Sequence, residues 1–166
     1  MGREGATRRE ASMANENNIW REELPPSSEW QNGTQSDRVG RGDILAARVH
    51  VIPPGGRGGP LHFHHGNEEM LIVLKGRPSL RTVSGVRQLN EGEVVVFRVG
   101  PDDAHSCQND TDEPVRYLFV SNNASPDAVE YPELGLLSVM AYTKDQFGKP
   151  LWDSRKLPPP ADEPSS

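Results

Sequence analysis

Four potential metal ligands at fixed spacing constrain this chain more than any other feature of its sequence. His62 and His64 are separated by one residue, Glu69 stands just before an apolar run, and His105 follows a second apolar run. Because side chains alternate along a strand, the first two histidines are expected to point to the same face. Imidazole and carboxylate are the usual ligands of divalent first-row transition metals, and neighbouring strands bring such dispersed ligands together. The pattern predicts a metal site inside a β-barrel.

The block from Gly56 to Gly76 resembles the first sequence motif of the cupin superfamily. Its two glycines, its His-x-His pair and its glutamate stand at every position of that motif, and the whole resemblance extends over about residues 40–122. The resemblance implies an all-β fold, the cupin double-stranded β-helix, which is a jelly-roll-like barrel. It also implies a bound metal, with His62, His64 and Glu69 among its ligands.

A second block resembles the second cupin motif in part. Gly92, His105 and Asn109 match, whereas Gly100 and Asp102 stand where a proline and a glycine are expected. The stretch from Gly92 to His105 is also two residues longer than the motif, so the departure is confined to the turn before the histidine. The resemblance implies that His105 is the remaining metal ligand and that Asn109 fixes the backbone beneath the strand.

Two adjacent acids compete for the carboxylate position of the first motif. The spacing to Gly76 favours Glu69, since Glu68 would leave seven intervening residues where the motif has six. Strand alternation then places Glu69, Leu71 and Val73 toward the cavity and Glu68 toward solvent.

Three further residues have simpler explanations than metal binding. His65 is expected to point away from its neighbour His64 and to be a surface or loop histidine. His50 lies in an apolar strand and is interpreted as a half-buried strand histidine. Cys107 shares the face of His105, and the sequence favours a small buried side chain over a thiolate ligand.

Four arginines, Arg48, Arg81, Arg98 and Arg116, lie in predicted strands. Each either faces solvent or lines a polar cavity, where its fork of donors would hold an anionic substrate. Tyr117 has the opposite parity to Arg116, so at most one of these two faces the cavity. The sequence leaves open which arginine does so.

The composition excludes several classes of protein. A chain of 166 residues fits one domain with one core, and a net charge of −6 without a dense basic stretch argues against a nucleic-acid partner. A single cysteine permits no intramolecular disulfide, and the longest apolar runs are far below a membrane span. We therefore expect a cytoplasmic protein with neither a nucleic-acid nor a membrane partner.

The predicted organisation is a single barrel domain at residues 39–143, between a partly ordered arm at 1–38 and a flexible tail at 144–166. Strands are expected at Ile44–Ile52, Met70–Leu74, Leu80–Val83, Val86–Leu89, Val94–Phe97, Val115–Val120, Asp127–Tyr131 and Leu136–Tyr142. Trp20 and Trp30 in the arm are expected to pack on the barrel or on a second subunit. These two tryptophans and the two late strands lie outside the two motifs, and together they predict a homodimer.

Two hypotheses for function follow. The favoured one is a metal-dependent enzyme that acts on a small polar molecule by oxygenase, isomerase or lyase chemistry, with dioxygenase-like chemistry considered first. The alternative is a non-catalytic cupin module that binds a small molecule. One divalent transition metal per chain is expected, and the ligand types do not distinguish iron, manganese, nickel, copper and zinc. No residue is identified as a separate general base.

Overall fold

The structure of the protein, a computed structural model, describes residues 17–27, 33–144 and 149–158. Short apolar segments separated by glycine- and proline-containing turns form strands throughout this part of the chain, and the expected all-β fold class is confirmed. The twelve strands of the described residues are β1 (Gln35–Arg41), β2 (Ala46–Ile52), β3 (Phe63–His64), β4 (Glu69–Lys75), β5 (Ser79–Thr82), β6 (Gly85–Gln88), β7 (Val94–Phe97), β8 (His105–Gln108), β9 (Val115–Ser121), β10 (Asp127–Tyr131), β11 (Leu136–Lys144) and β12 (Pro150–Lys156).

The strands form three antiparallel sheets. A five-stranded sheet has the order β1-β2-β9-β4-β7, a four-stranded sheet has the order β12-β11-β10-β3, and a three-stranded sheet has the order β6-β5-β8. Two short 3₁₀ helices, Pro101–Asp103 and Pro132–Leu134, lie between strands. Among the described residues, no helix is long and apolar enough to span a membrane.

Strand alternation places the main core on the inner face of the five-stranded sheet. Leu71 and Val73 of β4 are buried there with Ile52 of β2, and Leu80 and Cys107 pack against them from the three-stranded sheet. The predicted orientation of β4 is thereby confirmed, because Glu68 is exposed whereas Glu69 lines the cavity. A second cluster, Leu24, Val39 and Val49, covers part of the outer face.

The ends of the chain contain more regular structure than the composition indicates. β1 begins within the segment interpreted as an arm, and β12 lies within the segment interpreted as a flexible tail. β12 pairs with β11 from Leu136↔Lys156 onward, and the ladder supplies the backbone hydrogen bonds that a polar segment lacks alone. The late strands β10 and β11 join β3 of the same chain, so they close the barrel.

Arg116 on β9 attaches the N-terminal arm to the barrel. Its guanidinium donates hydrogen bonds to the carbonyl oxygens of Ile19 at 2.7 Å and of Arg21 at 2.9 Å. Trp20 between them is 55% exposed in the single chain, and Trp30 lies outside the described residues. Within the single chain the carbonyl groups of its neighbours, rather than the Trp20 ring, hold the arm on the barrel, and packing of Trp20 on a second subunit stays a prediction.

Asn109 fixes the backbone beneath β8, as the sequence predicts. Its side-chain amide is buried and donates to the carbonyl oxygens of Ile52 at 3.0 Å and of Glu113 at 2.8 Å. Its amide oxygen accepts hydrogen bonds from the backbone and the hydroxyl of Thr111. One side chain thus joins the end of β2 to the loop between β8 and β9.

We expect Asn109→Ala to lower the free energy of unfolding by about 3 kcal/mol, because several buried polar groups lose their partners at once. The control is Asn90→Ala, at an exposed turn position, for which a change within about 0.5 kcal/mol is expected. Urea denaturation of both variants measures the difference. Equal effects in the two variants would contradict a structural role for Asn109.

Candidate metal centre

A pair of backbone hydrogen bonds brings the two sequence motifs together. The amide of His62 donates to the carbonyl oxygen of His105 at 3.1 Å, and the amide of His105 donates to that of His62 at 2.9 Å. His62 and His105 therefore form a hydrogen-bonded pair of an antiparallel bridge, and residues directly opposite in such a pair project to the same side. Both imidazoles point into the cavity, with their ring centroids 4.8 Å apart. The altered turn before His105 is accommodated by Gly100, whose φ of 103° favours glycine.

Glu69 at the start of β4 is the carboxylate of the cluster. Its Oε2 lies 3.2 Å from Nε2 of His105 and 3.4 Å from Nε2 of His64. The ligand atoms of His62, Glu69 and His105 all lie within 4.8 Å of one another. His64 stands beside this triad, with its ring centroid 5.5 Å from that of His62. The structure thus brings all four sequence-predicted ligands to one place.

Each of the three histidines is oriented through its Nδ1 atom. Nδ1 of His62 lies 3.0 Å from the carbonyl oxygen of Pro60, and Nδ1 of His105 lies 3.0 Å from that of Asp103. Nδ1 of His64 lies 2.6 Å from Oδ2 of Asp127. Because a carbonyl or carboxylate oxygen accepts, Nδ1 carries a proton in each ring, and Nε2 is the nitrogen that a metal could bind once it is free of a proton.

Asp127 contacts the cluster, although the sequence did not identify it as a candidate. Its buried carboxylate accepts hydrogen bonds from His64, from the backbone of Gly66 at 3.0 Å and from the amide of Asn67 at 2.8 Å. It lies outside both motifs, at the first position of β10. An acid at the edge of a strand has the same appearance in sequence as an ordinary turn residue, so only the spatial contact with His64 identifies it.

The electrostatics of the cluster reflect this close packing. Burial opposes ionisation of Glu69, but interactions with His105 and His64 outweigh it and lower the pKa of the carboxyl. Burial likewise opposes a charge on His64, but hydrogen bonds with Asp127 and Glu69 raise its pKa to about 9. Burial, reinforced by the neighbouring His105, lowers the pKa of His62 to about 4.

The donor set fits a divalent transition metal. Nε2 of His105 is shielded from solvent and has no hydrogen-bond partner among the described residues, although Glu69 is near it. Burying a polar atom without a partner is costly, and a coordinated cation would remove this cost. Three imidazoles and one carboxylate are nitrogen and oxygen ligands suited to such an ion. The cluster therefore could hold one metal.

The cluster opens into a cavity of about 590 Å³ between the five-stranded and four-stranded sheets. Its wall combines polar and apolar side chains, including Ser138 and Met140 from β11 and Trp152 from β12. A cavity of this size is in the range of small-molecule sites.

The residues with simpler explanations lie where the sequence analysis expects them. His65 is exposed and has Nε2 3.3 Å from Oε2 of Glu130. His50 is half-buried on β2. Cys107 is buried, and burial raises the pKa of its thiol to about 12, so that it stays protonated at neutral pH.

Contacts distinguish the four arginines. Arg81 forms an exposed ion pair with Glu133, Arg98 pairs with Asp103, and Arg116 binds the arm. Arg48 alone of these four lines the cavity. Tyr117 also lines it, which agrees with the opposite parity of Arg116.

The chain matches a known domain family and resembles several solved structures. Residues 48–121 match the family model of the cupin domain, Cupin_2. Similar solved structures include a sugar phosphate isomerase from Silicibacter pomeroyi, with 21% identity and a TM-score of 0.65, covering 79% of this chain and 83% of that chain. A putative sugar phosphate isomerase from Acidithiobacillus ferrooxidans has 23% identity and a TM-score of 0.62, covering 74% of this chain and 76% of that one.

The DMSP lyase DddQ from Ruegeria pomeroyi has 25% identity and a TM-score of 0.50, and the similarity covers 60% of this chain and 53% of that chain. No curated protein matches the sequence significantly. The solved structures agree with the double-stranded β-helix expected from the two motifs. The family model identifies a cupin domain at residues 48–121 of this chain, and the fold is the cupin double-stranded β-helix.

Proposed function

We propose that this cupin is a metal-dependent enzyme that acts on a small polar molecule, with one divalent transition metal bound by His62, His64, Glu69 and His105. The observation that carries the proposal is the orientation of the histidines. All three rings have Nδ1 directed at an oxygen acceptor, at 2.6 to 3.0 Å, which leaves three Nε2 atoms for coordination around Glu69. A histidine that only fills space needs no such arrangement.

Asp127 is assigned a positioning role in this site. By accepting the Nδ1 proton of His64 it fixes the tautomer and increases the basicity of Nε2. The hydrogen bonds from Gly66 and Asn67 hold the carboxylate in place, so the ring is held by a network rather than by one contact.

The bound metal would supply Lewis-acid or oxygen-activating chemistry at open coordination positions. Phe97 and Phe119 pack at the cluster, with the ring centroid of Phe97 3.7 Å from that of His105, and would exclude water from that side of the metal. Isomerase, lyase and oxygenase reactions are all compatible with this arrangement. The likeness to a DMSP lyase is consistent with the lyase class.

The experiment that tests this function is elemental analysis of protein purified without added metal, followed by measurement of dioxygen consumption. About one metal per chain is expected. Oxygen consumption with candidate substrates would indicate an oxygenase, whereas turnover without it would indicate an isomerase or lyase. A metal-free protein that still binds a small molecule tightly would contradict the enzyme and favour the binding module.

We also propose a cytoplasmic location and a homodimer. β7 is the outermost strand of the five-stranded sheet, and Val94 and Val96 on it are more than half exposed beside Met70. An apolar sheet edge of this kind invites a second copy of the chain.

The double variant His62→Ala with His64→Ala is expected to lose its bound metal and to keep the barrel folded, because neither residue belongs to the main hydrophobic core. Metal content per chain is measured by mass spectrometry, and circular dichroism checks the fold. His65→Ala serves as the control, since this histidine is exposed and adjacent in sequence. Unchanged metal content in the double variant would place the site elsewhere.

Glu69→Gln is expected to weaken metal affinity by tenfold or more, because an amide lacks the charge of a carboxylate ligand; a loss of about tenfold corresponds to about 1.4 kcal/mol. Glu68→Gln, one residue away and exposed, should leave the affinity unchanged. Competition with a metal-binding dye measures both. Equal losses would contradict the assigned ligand.

Light scattering should give a mass of twice 18.3 kDa for the wild-type protein at micromolar concentration. Val96→Glu should give a monomer, because it introduces a charge at the exposed strand edge. Val86→Glu, on the exposed β5–β6 hairpin, should remain dimeric. A monomeric wild type would rule the dimer out.

A further inference from the structure

One wall of the cavity has an excess of positive charge. Arg48 of β2 lines the cavity, and its guanidinium donates a hydrogen bond of 3.3 Å to the neutral hydroxyl of Ser36. Arg48 forms no ion pair with a carboxylate of the described residues, since Asp37, which interacts with it electrostatically, is paired with Arg21. Among the described residues that line the cavity, Glu69 is the one acid, and it belongs to the metal centre.

The strand next to β2 adds to this charge. Arg38 of β1 is the direct cross-strand partner of Arg48, and it also lines the cavity. Like charges directly opposite one another destabilise a sheet. An anion bound in the cavity beside the two guanidinium groups would reduce the repulsion between them.

His50 provides an independent observation at the same place. It stands two residues after Arg48, so both side chains project from the same face of β2 into the cavity. Its ring is stacked on Tyr117 at 5.1 Å, with an angle of 12° between the planes, which fixes its orientation. Nδ1 of His50 is shielded from solvent and has no hydrogen-bond partner among the described residues.

An unpartnered buried polar atom is costly, so its presence points to a partner supplied from outside the chain. Burial, with the nearby Arg48, lowers the pKa of His50 to about 3, so the ring is neutral at physiological pH. A neutral imidazole can donate a hydrogen bond to an anion without adding a further buried charge.

We propose that Arg48 and His50 bind an anionic oxygen group, a phosphate or a carboxylate, of the substrate. The proposal rests on the proposed metal-dependent function, since it assigns the substrate class of that same cavity. β2 and β4 are separated by β9, which puts the strand of Arg48 roughly 10 Å from the strand of Glu69. The substrate is therefore a small molecule whose anionic group contacts Arg48 and His50 of β2. Its other oxygen atoms face the histidine cluster.

The test uses the full chain after removal of metal by a chelator, so that anions do not bind a metal instead. Inorganic phosphate and acetate are titrated separately and binding is measured by calorimetry. Arg48→Gln should weaken binding by about tenfold or more, because it removes charge-assisted hydrogen bonds. Arg87→Gln is the matched control, since it removes one positive charge from the exposed hairpin strand β6. Phosphate binding without acetate binding would identify a phosphate-bearing substrate, and the reverse a carboxylate.

Two further variants separate binding from folding. Arg48→Lys keeps the charge and should recover part of the affinity lost in Arg48→Gln. His50→Phe keeps the stacked ring but removes its nitrogen atoms, so it should weaken anion binding while Tm does not fall. A merely structural histidine would leave the anion affinity unchanged in His50→Phe, and that result would remove it from the site.

Metal analysis of the same samples distinguishes this inference from the function on which it rests. Arg48→Gln should contain as much metal as wild type before chelation. If wild type binds neither anion, or if Arg48→Gln binds both as well as wild type, the anion site is overturned and the metal centre is unaffected. If purified wild type contains no metal but loses anion affinity on Arg48→Gln, the metal-dependent function fails and the anion site stands.

Discussion

The reciprocal backbone pairing of His62 with His105 is the interaction on which the site depends. These residues are far apart in sequence, and the two hydrogen bonds at 3.1 and 2.9 Å place their imidazoles side by side. Glu69 reaches the same point because β4 lies in the opposing five-stranded sheet with its inner face toward them. The glycine-rich segment before His62 and the 3₁₀ turn before His105 differ in shape, but the pairing fixes their relative position.

Oxygen acceptors behind the cluster hold its three histidine rings in place. Backbone carbonyl groups accept the Nδ1 protons of His62 and His105, and the carboxylate of Asp127 accepts that of His64. These contacts orient the rings before any ion binds, which lowers the entropic cost of coordination.

The cavity has two chemically different ends on one sheet. The Glu69 end is formed by histidines around a carboxylate, and the β2 end contains Arg48 and His50 beside Tyr117. Alternation along β2, β9 and β4 directs these side chains inward, while Arg116 and Leu118 on the other face of β9 contact the arm and the outer cluster. A single sheet therefore supplies a rigid frame for both the histidine cluster and the pair of Arg48 and His50.

The sequence determined the fold class, the inward face of β4 and the four potential ligands, because strand alternation and motif spacing are local properties. It also predicted β7 at its observed bounds and the backbone role of Asn109. It missed β12 and Asp127, since a polar edge strand and a lone acid gain their roles from partners distant in the chain. The choice of Arg48 among four arginines was likewise made only by tertiary structure, because a strand position specifies a face but not what lies opposite that face.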